Sequence, residues 1–253
     1  MKLALLSDIH SNLQALQACL SHARAHGAQQ FAFLGDMVGY GAQPGEVIDC
    51  IQDLQVQGAW VVRGNHDELA VAPPGAIQKV GDLGAQWTHD QLGPAQRRWL
   101  AELPLTHAAD TVLLVHASAN EPERWRYVTD AIAATASLDA AGAWPQVRYV
   151  FGGHVHAQTL YYRGAEGRLM PFQPQAGMAI PVPRHRSWLA TVGSVGQPRD
   201  GNPQAMYAML DTQAQLLVFH RVHYDQVAAA DAIRRAGLPE MFASRVEVGR
   251  CNC

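Results

Sequence analysis

The chain has 253 residues, 48 % hydrophobic and 16 % charged, and its formal charge is 19 − 22 = −3 at pH 7. So much apolar residue supplies a sizeable core and excludes disorder. Without a run of basic residues a non-specific grip on nucleic acid is excluded, and without a run of ~20 apolar residues so is a membrane-spanning helix.

In chain order, Lys2 to Ser7 reads as a buried strand, and Asn12 to His26 as a helix with Leu13, Leu16 and Leu20 near helical spacing, stopped by Gly27. Phe31 to Leu34 is a second strand, Pro44 to Leu54 a second helix and Trp60 to Val62 a third strand. Two segments punctuated by Pro and Gly, Ala76 to Gln91 and Pro94 to Leu103, read as helical. Strands return at Thr111 to Val115 and Arg148 to Phe151, with a helical piece around Thr129 to Ala136 between them. Then the period changes. Leu160 to Met170 reads as a hairpin turning at Gly164 to Gly167, and Trp188 to Val192, Tyr207 to Leu210 and Leu216 to His223 as strands joined by turn residues. Tyr224 to Ala236 is a last helix, stopped by Gly237 and followed by Pro239. The front half is β-α-β-α, implying parallel strands with right-handed crossovers. The back half is strand-rich, implying antiparallel pairing. Two packed sheets with helices outside satisfy both, and with no linker or repeat residues 1–253 are expected to form one domain.

Side chains of metal-ligand type recur at the C-terminal ends of the predicted strands: Asp8 and His10, Asp36, then Asn65, His66 and Asp67, then His116, then His154 and His156. Open α/β sheets bind ligands at that edge. Residues i and i+2 of an extended segment share a face. Asp8 with His10, and His154 with His156, are therefore expected to point together along extended backbone. Gly35, Gly64, Gly152 and Gly153 free the chain to turn at the strand exits. Carboxylate, imidazole and amide oxygen without thiolate suit Mn, Fe, Zn or Ni rather than Cu(I) or an iron–sulfur cluster. Seven such ligands are too many for one tetrahedral ion and fit two metals sharing a bridge.

Asp8-x-His10, Gly35-Asp36, Gly64-Asn65-His66-Asp67, His116 and Gly153-His154-x-His156 resemble the full signature of the calcineurin-like metallophosphoesterases, in that family's order. Gly193 to Gly201 and Tyr224 to Pro239 resemble a prokaryotic branch described as phosphodiesterase or diadenosine-tetraphosphatase-like. The resemblance implies an α/β fold, a four-layer α/β/β/α sandwich of two mixed sheets flanked by helices. It implies two divalent transition-metal ions, one on Asp8, His10 and His156 and one on Asn65, His116 and His154, with Asp36 bridging. His66 would contact phosphate or protonate the leaving group, with Asp67 behind it. The implied activity is hydrolysis of small phosphodiesters or nucleotides by in-line attack of a metal-bridging hydroxide. A dinucleoside-polyphosphate hydrolase or a broad phosphomonoesterase is the second reading, and an inactive scaffold of the same fold is the reading outside the enzymes.

One departure bears on substrate. The Ser/Thr protein phosphatases of that family carry Asp-Arg where this chain has Gly39-Tyr40, so the Asp that pairs with the catalytic histidine and an Arg that grips phosphate are both replaced. Tyr40 either meets substrate or packs under the helix from Pro44. Arg63 is a phosphate contact or a structural salt bridge. Arg124, Trp125 and Arg126 on the loop after His116, and Arg199 further on, are candidate substrate contacts or ordinary loop residues. His22, His26, His89, His107, His220 and His223 read as surface or packing residues. Four cysteines without framework spacing read as reduced thiols, and Cys251 and Cys253 as a frayed tail rather than a metal site. The N-terminal apolar run is too short for a signal peptide. The expectation is a cytoplasmic hydrolase of small phosphorylated substrates, with no membrane partner and with room for a homo-oligomer.

Overall fold

The first strand, β1 (Lys2–Leu6), is apolar on both faces because both faces are covered. Ala4 and Leu6 point into a core shared with α1 (Leu13–Ala25) and α2 (Pro44–Val56), while Leu3 and Leu5 point into a second core between two sheets. The same alternation repeats in β2 (Gln30–Leu34), where Phe33 faces the helices and Ala32 and Leu34 face the other sheet. Asn12 caps α1 by accepting from the Ala15 N–H at 3.0 Å, and Pro44 stands in the first turn of α2, where its missing N–H costs nothing.

The computed structural model describes residues 1–164 and 167–250. The tip of the 164–167 hairpin and the Cys251 and Cys253 tail lie outside the described residues. After β3 (Trp60–Val62) come α3 (Asn65–Val71), α4 (Val80–Gln91) and α5 (Pro94–Glu102), then β4 (Thr106–Ala109), β5 (Val112–Val115), α6 (Ala131–Ala140) and β6 (Tyr149–Gly152). The chain continues through β7 (Gln158–Arg163), β8 (Leu169–Phe172), β9 (Ala179–Pro181), β10 (Trp188–Val192), β11 (Ala205–Asp211) and β12 (Leu216–Val222), and ends in α7 (Gln226–Arg235) and α8 (Glu240–Val248). One six-stranded sheet has the order β3-β2-β1-β11-β12-β9 and the other β4-β5-β6-β10-β7-β8. β1, β2 and β3 run parallel while β11 is antiparallel to β1, so the first sheet is mixed; β5, β6 and β10 run parallel beside antiparallel β4 and β7, so the second is too.

Val112, Leu114, Tyr149 and Phe151 of the second sheet meet the first sheet, and Leu113, Val115 and Val150 meet α6. The result is the four-layer α/β/β/α sandwich. Four elements have no counterpart in the sequence reading: α3, β4, β9 and α8. Gly237 does end α7, with φ +71°, but Pro239 opens α8 rather than closing the fold. No helix among the described residues is long and apolar enough to cross a membrane.

Candidate metal centre

The loops leaving β1 and β2 stay paired past their strands: Asp8 N–H donates to Gly35 O at 3.1 Å and His10 N–H to Asp36 O at 3.0 Å. The backbone there is not extended. Asp8, His10, Asp36, His154 and His156 have φ of 53°, 49°, 51°, 65° and 59°, in the left-handed region. The expectation of a shared face along extended chain is therefore corrected; these five side chains are aimed inward by a kink at the strand exit. A left-handed non-glycine residue costs about 1–2 kcal/mol, and such outliers concentrate at functional sites. Close approach is what Gly153 provides, since a Cβ there would collide with Ser7 Oγ and Asp8 Oδ2.

Two triads result, Asp8 with His10 and His156, and Asp36 with His116 and His154, each with ligand atoms within 4.8 Å of one another. His156 Nε2 is 3.1 Å from Asp8 Oδ1 and 3.1 Å from His10 Nε2. In the second triad His116 Nε2 is 3.3 Å from Asp36 Oδ2, 3.2 Å from His154 Nδ1 and 3.1 Å from Asn65 Oδ1. Each triad straddles both sheets. Asp8, His10 and Asp36 follow β1 and β2; His116, His154 and His156 follow β5 and β6.

The donor atoms fit cations. His10, His116 and His156 each turn Nδ1 to a backbone carbonyl, that of Val38 at 3.2 Å, Leu34 at 2.7 Å and Gln197 at 2.6 Å. A carbonyl only accepts, so Nδ1 carries the proton and Nε2 a lone pair, the outer-shell pattern of ligating histidines. His10 and His156 thus face lone pair to lone pair, and buried Asp8 Oδ1 has no hydrogen-bond donor. A cation resolves both. The field agrees: burial alone would raise Asp8 and Asp36, yet His156 and His116 beside them hold both below the usual carboxylate range. Burial opposes a charge on His116, yet the Asp36 carboxylate outweighs it and pushes His116 up to about 9; without a cation a second proton sits on Nε2, and a metal ion would take that proton's place. Burial and the nearby His116 push His154 down to about 4, which keeps it a neutral donor.

A model of the calcineurin-like phosphoesterase superfamily domain matches residues 1–215. The chain belongs to that superfamily. It is a metal-dependent phosphoric ester hydrolase. An uncharacterized protein of Methanocaldococcus jannaschii, MJ0912, is 32 % identical over 254 residues, covering 98 % of both chains. The crystal structure of a metallophosphoesterase from Sphaerobacter thermophilus is similar at 32 % identity with a TM-score of 0.86, over 98 % of this chain and 99 % of that one. A hypothetical protein from Pyrococcus horikoshii shares the fold at 21 % identity and a TM-score of 0.78, over 98 % of each chain.

Around the triads of this phosphoesterase, His66 donates its backbone N–H to Asp36 Oδ1 at 2.8 Å and sets its ring 4.4 Å from Tyr40 and 5.1 Å from His10. A Cβ at Gly39 would come within 2.9 Å of His66 Nδ1, so the position that carries Asp in the protein phosphatases does lie beside this histidine. Tyr40 packs between His10, His66 and Phe242 of α8. Arg199, fastened to Gln197 Oε1 at 2.8 Å, lies 5.9 Å from the Tyr40 ring. A guanidinium therefore reaches this corner from another loop, which Gly39-Tyr40 alone did not disclose. Trp125 stands edge-on to His116 at 5.8 Å.

Other candidates turn away. Arg63 donates to Ala101 O at 2.9 Å and lies 3.9 Å from Glu68. Asp67, expected behind His66, accepts from the N–H groups of Asp36, Met37, Val38 and Gly64, which occupies both oxygens. Arg124 and Arg126 are 60 % and 49 % exposed and pair with Glu121. Tyr127 was not singled out from the sequence, yet its ring lies 4.0 Å from that of His154, nearly parallel, and 56 % of the residue is exposed. Its signal was an aromatic two residues past Trp125 on the same loop.

Proposed function

We propose that this phosphoesterase hydrolyses small phosphodiesters or nucleotides with two divalent transition-metal ions. Asp8, His10 and His156 would hold one, Asn65, His116 and His154 the other, and Asp36 both. The observation that carries the reading is Asp36. One of its oxygens is taken by the His66 N–H at 2.8 Å, and the other, Oδ2, is 3.3 Å from His116 Nε2 and 3.9 Å from His10 Nε2. A single free carboxylate oxygen between two sets of donors is what a bridge requires. When bound, two such ions supply an activated water and a positive charge facing the phosphoryl oxygens.

The chain's own residues supply the rest. His66, anchored through its N–H beside the shared carboxylate, donates a proton to the leaving-group oxygen. Arg199, held by Gln197, takes a phosphate oxygen in a charge-assisted hydrogen bond. Tyr127 and Trp125, on the other side at His154 and His116, offer aromatic faces to a nucleoside or another ring. A diester carries a second organic group for those faces and one negative charge for the Arg199 guanidinium.

The test is a panel of phosphomonoesters, diesters and polyphosphate esters assayed with Mn, Fe, Zn and Ni. The highest kcat/KM is expected on a nucleotide or aryl diester. Phosphoserine peptides turned over faster than every diester would overturn the substrate class.

A further inference from the structure

Histidines gather a second time, outside the phosphoesterase motifs. His22 and His26, four apart on α1, have ring centroids 4.0 Å apart, and His220 of β12 lies 5.1 Å from His22 and 5.4 Å from His26. The histidine pairs of the two triads are spaced alike, 4.9 Å for His10 and His156 and 5.0 Å for His116 and His154. Residues four apart share a helix face. All three rings line a cavity of about 540 Å³ whose walls include Lys2, Asp211 and Arg221.

The rings are also held as ligands are held. His26 Nδ1 donates to the His22 carbonyl at 2.8 Å, and His22 Nδ1 meets the Tyr207 hydroxyl at 2.8 Å, leaving Nε2 of both for another partner. His220 stacks on the same Tyr207 ring at 4.6 Å. Burial and the two neighbouring imidazoles push His220 down to about 4, and burial and His26 lower His22, so both offer neutral donors near pH 7. Asp211 has an oxygen committed to the N–H groups of Gln213 and Ala214, which leaves imidazole the dominant donor type. The three do not converge within the 4.8 Å that marks both triads. His26 is exposed, and bringing its Nε2 to the other two rings means moving it off its stack on His22.

We propose that His22, His26 and His220 form a third metal site, which takes a borderline divalent cation such as Zn(II) and ties the end of α1 to β12. Imidazole suits Zn, Ni and Cu, whereas Mg and Ca ask for oxygen. Three protein donors beside a cavity leave one tetrahedral position open to solvent.

Equilibrium dialysis of the full chain against Zn²⁺ is expected to show one ion beyond those on the triads, and Zn²⁺ is expected to raise Tm. His26→Gln, at an exposed position, should weaken that ion by at least about 10–100-fold, the loss that follows removal of even an outer-shell partner. It should cancel the Zn²⁺-dependent rise in Tm and leave diester turnover in saturating Mn²⁺ unchanged. Asp36→Asn separates this site from the triads: the ion sensitive to His26→Gln should survive it whatever the triads hold. Superimposable Zn²⁺ isotherms for the wild type and His26→Gln, or loss of the extra ion in Asp36→Asn, overturn the proposal.

Discussion

Asp67 holds the backbone N–H of Asp36 on one oxygen and that of Met37 on the other, each at 2.9 Å. Gly64 and Val38 add a second N–H to each oxygen, so one buried carboxylate sets the backbone on which the shared ligand stands. Asp67→Asn keeps the shape but replaces one acceptor oxygen with a donor. At least one buried N–H then lacks a partner, at about 1–3 kcal/mol each. We expect a Tm lowered by several degrees and weaker binding of metal in dialysis. An unchanged Tm would show that Asp67 braces nothing.

Asp36→Asn places a neutral amide between the triads. Metal content after reconstitution should fall by more than one ion, and kcat with it, because both triads lose the same carboxylate. Full metal content and rate in this variant would remove Asp36 from its bridging part.

His66 makes its hydrogen bond to Asp36 through the backbone, which a substitution preserves. His66→Gln should therefore keep its metal, while kcat falls about 10²–10⁴-fold, the range for a general acid or base. The loss should shrink on nitrophenyl esters, whose leaving groups need no proton. Equal losses on nitrophenyl and alkyl esters would exclude proton donation.

Arg199→Gln removes the guanidinium that lies 5.9 Å from the Tyr40 ring. A charged hydrogen bond contributes about 1.5–3 kcal/mol, so kcat/KM should fall roughly 10–100-fold, mostly through KM. Tyr40→Arg should shift the preference towards monoesters by adding a second cation there. Steady-state kinetics on a matched monoester and diester pair measures both. No change in either ratio would place this corner away from the phosphate.

Acid should destabilise the fold through His220. Its ring binds a proton near pH 4 in the folded chain and near pH ~6.5 when unfolded. Between those values the unfolded state holds more protons, so stability rises with pH across that window and is lost on acidification. Thermal melts of His220→Gln from pH 7 to pH 4 should show a shallower slope than the wild type. Identical slopes would mean that His220 titrates alike in both states.

The sandwich and its site were legible in the sequence to different depths. Strands such as β1 and β6 announced themselves as apolar runs because both faces are buried, and the ligand-type residues stood at their ends. The kinks at Asp8, His10, His154 and His156 were hidden, since left-handed backbone at a non-glycine is imposed by tertiary contacts rather than by residue type. α3 was overlooked because its seven residues begin inside the Gly-Asn-His-Asp motif, which reads as a strand exit. β4, with two alanines, and β9, three residues ending in proline, are edge strands that exist through their neighbours. Tyr127 reaches the centre from a loop whose course no local pattern encodes, and Arg199, a candidate from the sequence, is set beside Tyr40 only by the fold. The carbonyls of Leu34, Val38 and Gln197 that orient the imidazoles have no side-chain signature at all.

Both triads draw on both sheets, and this makes the inter-sheet core a tuning element of the enzyme. A change of volume at Tyr149, Phe151 or Phe219, buried between the sheets, is expected to move one sheet against the other and with it one half of each triad relative to its other half. A misplacement of about 1 Å can lower a rate about 10²-fold. Residues that never approach substrate are therefore positions at which turnover and metal affinity drift together, and variants selected for altered metal preference should accumulate along that seam as readily as at the ligands themselves.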